Sequence, residues 1–511
     1  MKWLDGIETG WAIPLLMVGF AAAWLLFLLV AYLSGDLHAD VLDAWTVGRD
    51  LAWGNAKHPP LMGWIAHLWT LVFPLTDWSF QLLAMTNAAV ALWAVDLITR
   101  RFARGDKRVV VLLLLMLLPA YQFHAQRFNA NTVLLALWPL ATYGFLRSFA
   151  QRSAKWGAIA GALAAFAMLG KYYSVFLVGS FVLAAICHPQ RRAYFTSFAP
   201  WASTLAGFAV LGPHIHWLAT SGAEPFEYAM TAHGGLAVWP SVREGAMFLL
   251  GLAATLALPA LLWLLIAGTR LKRFAADYRM LDSGLLLLFW ICVGTIVLPV
   301  ITAISIGTEL PSLWALQGLF LVAILVVCGA SFAVERFHTV NLTVIVMTFA
   351  TVAVAVAAPA HALYRSAIHP EERAYYRLAA AELTRRWHGA VHTPLPNISG
   401  ADELAFATAF YSPDHPRFSR PFRFQYNWGL PRVPTLEKGW AAMCFAHDTG
   451  CLAWMRNVTA LSKHVRRFNF EVTPRFWGRS GTPAQITAMM VLPVGAGAES
   501  QAPADGSVDS D

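Results

Sequence analysis

The sequence predicts an all-α polytopic membrane protein of about eleven transmembrane helices, followed by a small C-terminal α/β domain. Three observations predict it. Hydrophobic residues make up 58% of the 511 and charged residues only 13%, about half the charge of an ordinary soluble domain. Apolar runs of helix-spanning length recur over two thirds of the chain, which is the signature of a membrane protein. The basic residues between these runs alternate in abundance, as the two sides of a bilayer require.

The expected spans are 11–33, 79–99, 109–123, 131–149, 156–170, 173–187, 200–219, 246–267, 282–303, 312–333 and 339–360. The first is too long for a signal-peptide core and has no small-residue cleavage site, so it reads as a retained helix. Loops on one side carry fifteen Lys and Arg, among them Arg100, Arg101, Arg104, Lys107 and Arg108; the alternate loops carry five, Arg49, Lys57, Arg127, Lys171 and Arg243. The bias places the first set in the cytoplasm. The N-terminus is then cytoplasmic and, with an odd number of spans, the C-terminal domain is periplasmic. The same rule accounts for the net charge of +8 without a nucleic-acid partner. Trp11, Trp156, Trp217, Trp239 and Trp314 stand at the ends of apolar runs, where an amphipathic ring suits the headgroup level.

Composition divides the chain into a membrane domain over 1–363, a soluble domain over 364–495 where charge, Pro, Asn and Asp return, and a tail over 496–511 expected to be disordered. The first external loop, 34–78, belongs with the membrane domain on this reading and holds two helical stretches, Asp40–Trp53 and Pro59–Phe73. The second spaces Leu61, Trp64, Ile65, Leu68 and Leu71 as a helix in the membrane interface does. The external loop Thr220–Glu244 contains Gly234-Gly235 and Pro240 and is expected to be irregular and mobile. In the soluble domain Glu371–His388 reads as an amphipathic helix. Cys187, Cys292 and Cys328 lie in apolar helices as packing residues. Cys444 and Cys451 lie in the domain placed outside, where a disulfide is allowed. Zinc is the weaker option there, since no second Cys/His pair stands nearby at ligand spacing.

Chemistry-bearing residues concentrate in the first external loop: Asp36, His38, Asp40, Asp43, Arg49, Asp50, Lys57 and His58. Asp40 and Asp43 are three apart and share a helix face. A partly desolvated carboxylate beside the bilayer is a candidate general base for a hydroxyl nucleophile. Spacing alone leaves open the plainer reading of a solvated acidic loop. Lys171 stands among apolar helices near the outer face, where an intramembrane cation either meets a lipid phosphate or snorkels to the headgroups. Arg127, His124, His58 and Lys57 are further cations expected near that face. Asn131 opens an apolar run and is also read as a helix N-cap. His214 and His216, two apart, do not share a helix face and read as satisfied core polar groups. No P-loop is present, so nothing suggests an ATP-driven pump.

Three of these stretches resemble the protein-mannosyltransferase-like membrane glycosyltransferases, family 39 of the GT-C class. The first is Asp40-Val-Leu-Asp-Ala-Trp followed by Leu51-Ala-Trp-Gly54 and His58-Pro-Pro60, similar to that family's first-loop signature. Asp40 stands eighteen residues before His58, which matches it to the family's catalytic Asp. Val41 replaces the family's following Glu and Asp43 its first Tyr, so the resemblance favours Asp40 over Asp43 as the base while keeping both as candidates. The second is Phe128-Asn-Ala-Asn131 to Trp138, where the family commonly carries Pro-Asp-x-Pro. Asn131 takes the place of that Asp, and a neutral amide is a weak oxygen ligand, which argues against a divalent metal. The third is Gly170-Lys171-Tyr172-Tyr173, similar to the family's Lys-Tyr element.

The resemblance covers most of 11–360 and implies a GT-C-like fold without a cofactor. It implies an inverting glycosyltransferase that takes one sugar from a polyprenyl-phosphate-linked donor to an envelope acceptor: lipid A, a polysaccharide or a protein. It implies catalysis at the outer face of the cell inner membrane, with Lys57, His58, Arg127, Asn131, Lys171 and Tyr172 contacting substrate. Two readings from other classes remain: a lipid or glycolipid transporter with the polar loop as a gate, for which related broken halves would be expected, and a non-catalytic envelope assembly scaffold.

Overall fold

In a computed structural model, residues 2–33, 35–221, 223–367, 372–418, 438–460, 464–476 and 478–493 are described; the expected disordered tail 496–511 lies outside them. The chain forms two compact units: Met1–Val30 with Asp50–Val356, and Ala31–Arg49 with Ala357–Asp511. The segment 34–78 is therefore shared, its start packing with the C-terminal residues.

The first unit is a bundle of helices, and each of the eleven expected spans overlaps helical residues, 312–333 as a bent pair. Among the described residues six are long and apolar enough to cross a membrane, and seven if the bent pair Ser312–Gly318 and Phe320–Gly329 counts as one span. The helices Ala154–Gly170 and Tyr172–Cys187 are apolar but shorter. The run expected to reach residue 123 ends as a helix at Met116. Small residues set the closest packing. A Cβ on Gly157 would collide with the Ala199 carbonyl, and one on Gly161 with the Ser203 carbonyl. The helices Ala154–Gly170 and Ala199–Ser221 thus meet backbone to backbone, which membrane interfaces achieve with small residues. Two ion pairs lie among these helices: Arg108 grips Asp96, 3% exposed, with two bonds of 2.5 and 2.6 Å, and Arg336 lies 2.8 Å from Asp106.

The loop Thr220–Glu244 is ordered as helix over most of its length, contrary to the expectation of an irregular segment. Glu224–His233 is one helix and Val238–Ala267 the next. Pro225 and Pro240 lie in the first turns of these helices, where proline's missing N–H costs nothing. Between them residues 234–237 leave the helix, with Gly234 and Ala237 extended and Gly235 at φ +87°, and Ala223 before the first helix is left-handed at φ +58°. The Leu236 N–H donates to the Gly307 carbonyl and the Glu309 N–H to the His233 carbonyl, both at 2.9 Å.

In the second unit, strands β1 (Asn397–Gly400), β2 (Arg417–Phe418), β3 (Trp440–Phe445), β4 (Val465–Val472) and β7 (Ala484–Val491) form one sheet in the order β2-β1-β3-β7-β4. The short strands β5 (Arg475–Phe476) and β6 (Arg479–Ser480) form a separate pair. β1 runs parallel to both neighbours, and β7 antiparallel to both of its own. All six β3 residues are buried, as a central strand covered on both faces must be. Helices Tyr376–Ala390, Asp402–Tyr411 and Thr449–Ala460 accompany the sheet. Gly400 at φ +103° faces the Met443 carbonyl so closely that no side chain fits. The expected Cys444–Cys451 disulfide is present, tying β3 to the helix that begins at Thr449. The fold class read from the sequence, a helical membrane protein with a small α/β domain, is borne out.

Candidate functional site

The first unit gathers the site around residues 51–58, and the local sequence explains how. Leu51 turns the chain at φ +46°, a conformation rare for a branched side chain. The Ala52 carbonyl accepts from the Trp64 indole at 2.9 Å, and Trp53 meets the Trp64 ring edge to face at 5.2 Å. Gly54 has no room for a Cβ, because the Trp217 ring occupies that space. The Asn55 amide oxygen then accepts from the Lys57 and His58 N–H groups at 2.9 and 2.8 Å, a side-chain turn that presents both residues. Pro60 caps the helix Leu61–Thr70, whose Leu68 and following neighbour Leu71 stay exposed.

Lys171 ends the helix Ala154–Gly170. Its Nζ donates to Asn131 Oδ1 at 2.6 Å and stands 4.4 Å from the centroid of the Trp314 ring, a cation–π contact. Asn131 is therefore not the N-cap of the following helix. That place falls to Thr132, and the turn is closed by Asn129, whose Oδ1 accepts from the Asn131 and Thr132 N–H groups at 2.9 and 3.0 Å. Thr132 Oγ1 donates to the Arg127 carbonyl at 2.8 Å; the Arg127 side chain itself is exposed.

His58 lies close enough to Lys57, Lys171 and His233 to feel all three. Crowding by protein atoms, and then Lys57, Lys171 and His233 in turn, hold its pKa well below the usual 6.5. His124 is lowered likewise, by burial and then Arg127. These shifts run against the expectation that the two imidazoles serve as cations: burial, with Lys57 and Lys171 beside His58 and Arg127 beside His124, disfavours a further charge. His58 offers hydrogen bonds, and Lys57 and Lys171 supply the charge.

His233 was missed in the sequence. It pairs with Glu309 at 3.0 Å and meets the Trp314 ring edge-on at 5.1 Å. Its signal is tertiary, since 76 residues separate it from Glu309. Tyr172 faces a different partner: its hydroxyl lies 2.9 Å from His214 Nε2, whose Nδ1 lies 2.6 Å from the Trp53 carbonyl. A neutral His214 protonated on Nδ1 satisfies both bonds, in keeping with a satisfied core histidine, and it fastens residues 51–54 to the helix Ala199–Ser221.

The second unit holds both candidate carboxylates on the helix Ala39–Gly48. His38 caps it, accepting the Asp40 N–H on Nδ1 at 3.2 Å. The Asp40 side chain is 43% exposed, whereas Asp43 is 6% exposed. Of the two candidates, Asp40 is the more exposed. Among the described residues no group of three or more His, Cys, Asp or Glu is arranged to hold a metal.

The family described as dolichyl-phosphate-mannose-protein mannosyltransferase matches residues 57–217. The lipopolysaccharide core galacturonosyltransferase RgtB of Rhizobium johnstonii is 26% identical over 270 residues, 49% of this chain and 54% of that protein; the chain thus spans about half the length of the curated relative it matches. The crystal structure of ArnT from Cupriavidus metallidurans bound to undecaprenyl phosphate superposes with a TM-score of 0.60 at 12% identity, over 94% of this chain and 98% of that one. The apo structure of the same protein gives 0.56 over the same shares, again at 12% identity. The resemblance to the mannosyltransferase-like, family-39 GT-C membrane glycosyltransferases is thereby borne out, by the match that begins at Lys57 and by the fold.

Proposed function

We propose that the protein is a membrane glycosyltransferase. It takes a sugar from a polyprenyl-phosphate-linked donor to a hydroxyl of an envelope glycolipid or polysaccharide at the outer face of the inner membrane, inverting the anomeric carbon. The observation that carries this reading is Lys171, a cation held between Asn131 and Trp314 with Lys57 near enough to join it in lowering the His58 pKa. Two ammonium groups beside apolar helices suit the phosphate of a lipid-linked sugar. An apolar cavity of about 380 Å³ running from Met168 and Val175 toward Tyr194 and Phe208 suits a prenyl chain. The names of the relatives fit: one transfers galacturonic acid to lipopolysaccharide core, and a neighbour in fold binds undecaprenyl phosphate.

In this reaction the acceptor oxygen forms a bond to the anomeric carbon as the bond from that carbon to the phosphate oxygen breaks. The electron pair leaves with the polyprenyl phosphate, where Lys171 and Lys57 stabilise the developing charge. The acceptor proton passes to Asp40. General-base help of this kind contributes roughly 10²–10⁴-fold. Asp40→Asn keeps the shape and loses the basicity. The test is mass spectrometry of envelope lipids from cells that carry only the variant gene. We expect Asp40→Asn to lower the modified lipid by about that factor and Asp43→Asn, at a buried position, to act through folded protein level instead. A fully active Asp40→Asn beside a well-folded, inactive Asp43→Asn would transfer the role to Asp43.

A further inference from the structure

The helix that carries Asp40 is fastened to the C-terminal domain at the residues just before it. Asp36, 7% exposed, accepts the Arg377 backbone N–H on Oδ2 at 2.9 Å and the Arg377 Nε on Oδ1 at 3.2 Å. The next residue, Leu37, donates its N–H to the Tyr411 hydroxyl at 2.8 Å. The Arg377 guanidinium lies 4.5 Å from the centroid of the Tyr411 ring, so the two ties brace each other. At the far end of the helix Arg49 donates to the Pro416 carbonyl at 3.0 Å and covers Trp45, whose ring meets those of Phe410 and His415 at 5.5 and 5.9 Å.

We propose that the C-terminal domain is a positioning device for Asp40. Its Arg377 and Tyr411 fix the entry to the helix Ala39–Gly48 and thereby the direction of the Asp40 carboxylate. The proposal rests on the reading of Asp40 as the base. Apolar contact through Trp45 holds the helix to the domain but is non-directional; the bonds to Asp36 and Leu37 fix its rotation. Asp40 lies in the first turn, the part of a helix that frays most readily. A misplacement of about 1 Å in a reacting group can cost on the order of 10²-fold in rate. The Arg377 side chain is 54% exposed while the Asp36 carboxylate is 8% exposed, and when the guanidinium bond is lost Asp36 still keeps the Arg377 backbone N–H as a donor. The effect of the guanidinium bond therefore falls on placement.

The test uses the full-length protein and two conservative variants. Tyr411→Phe keeps the ring beneath Arg377 and removes the acceptor of the Leu37 N–H. Arg377→Lys keeps the charge and the backbone donor and removes the Nε bond. Three readouts are taken: modified envelope lipid formed in cells, normalised to protein in the membrane; binding stoichiometry of undecaprenyl phosphate to the purified protein; and amide hydrogen exchange. We expect each variant to lower modified lipid about 3- to 30-fold and to bind undecaprenyl phosphate at full stoichiometry. We expect faster exchange in 36–48 with β3 and β7 unchanged. Wild-type lipid levels in both variants, alongside an inactive Asp40→Asn, would overturn the positioning role and leave the base intact. Faster exchange throughout the sheet would make these residues folding determinants and also overturn it. A fully active Asp40→Asn would instead remove the base reading, and the positioning of Asp40 with it.

Discussion

At the scale of single residues, Lys171 and His58 show how neighbours assign a role that residue type leaves open. A lysine near the outer end of apolar helices could snorkel to the headgroups. The bond to Asn131 and the Trp314 face hold its ammonium in place, so it is preorganised for an anion. We expect Lys171→Ala to weaken binding of undecaprenyl phosphate by roughly 10-fold or more, since a charge-assisted bond is worth about 1.5–3 kcal/mol, as measured by titration of the purified protein; unchanged affinity in a folded variant would remove the role. His58 carries a pH prediction. Its pKa is depressed in the folded protein, so between that value and about 6.5 the unfolded chain binds a proton that the folded chain refuses. The contribution to stability is complete above 6.5 and is lost as the pH falls through this window, with a slope of at most about 1.4 kcal/mol per pH unit. We expect the thermal midpoint of the wild type to drop more between pH 7.5 and 5 than that of His58→Gln. Parallel curves would show that the site is not coupled to folding.

At the scale of elements, the seam between the helices Ala154–Gly170 and Ala199–Ser221 depends on two glycines. Gly161→Val would force the backbones apart, because the Ser203 carbonyl occupies the space of its Cβ. Overpacking of this kind costs about 1–3 kcal/mol, occasionally more. Gly19→Ala, at a helical position with nothing within 4 Å, should leave stability unchanged or raise it by up to about 1 kcal/mol. Thermal midpoints of both variants in one detergent check the contrast, and equal losses would refute the packing account. Elements of long apolar period were legible in the sequence, as were the helix after Pro60 and the helix bearing Asp40. The segment 220–244 was not. Gly and Pro signal chain breaks in general, yet Pro225 and Pro240 occupy helix first turns, and it takes a neighbouring strand of chain, 307–309, to fix the glycine pair between them.

At the scale of the whole molecule, the charge bias between loops predicts a direction for the chain in the membrane. A periplasm-active reporter fused after residue 400 should be active and a cytoplasm-active one silent, and the reverse result would invert the topology. The bonded pair Cys444–Cys451 agrees with an oxidising compartment for that domain. The sequence by itself determined the membrane class, the places of most helices and the α/β nature of the C-terminal residues, and it singled out Asp40, Lys57, His58, Asn131 and Lys171 as candidates. These follow from period, composition and short-range spacing, which are local properties of a chain. Only the tertiary structure decided that Asn131 serves Lys171 rather than a helix end, that His233 and Trp314 join the lysines, and that residues 31–49 pack with the C-terminal domain. The partners in those contacts lie from 40 to more than 300 residues apart, and no pattern along a sequence encodes which distant side chains will share a few ångströms of space.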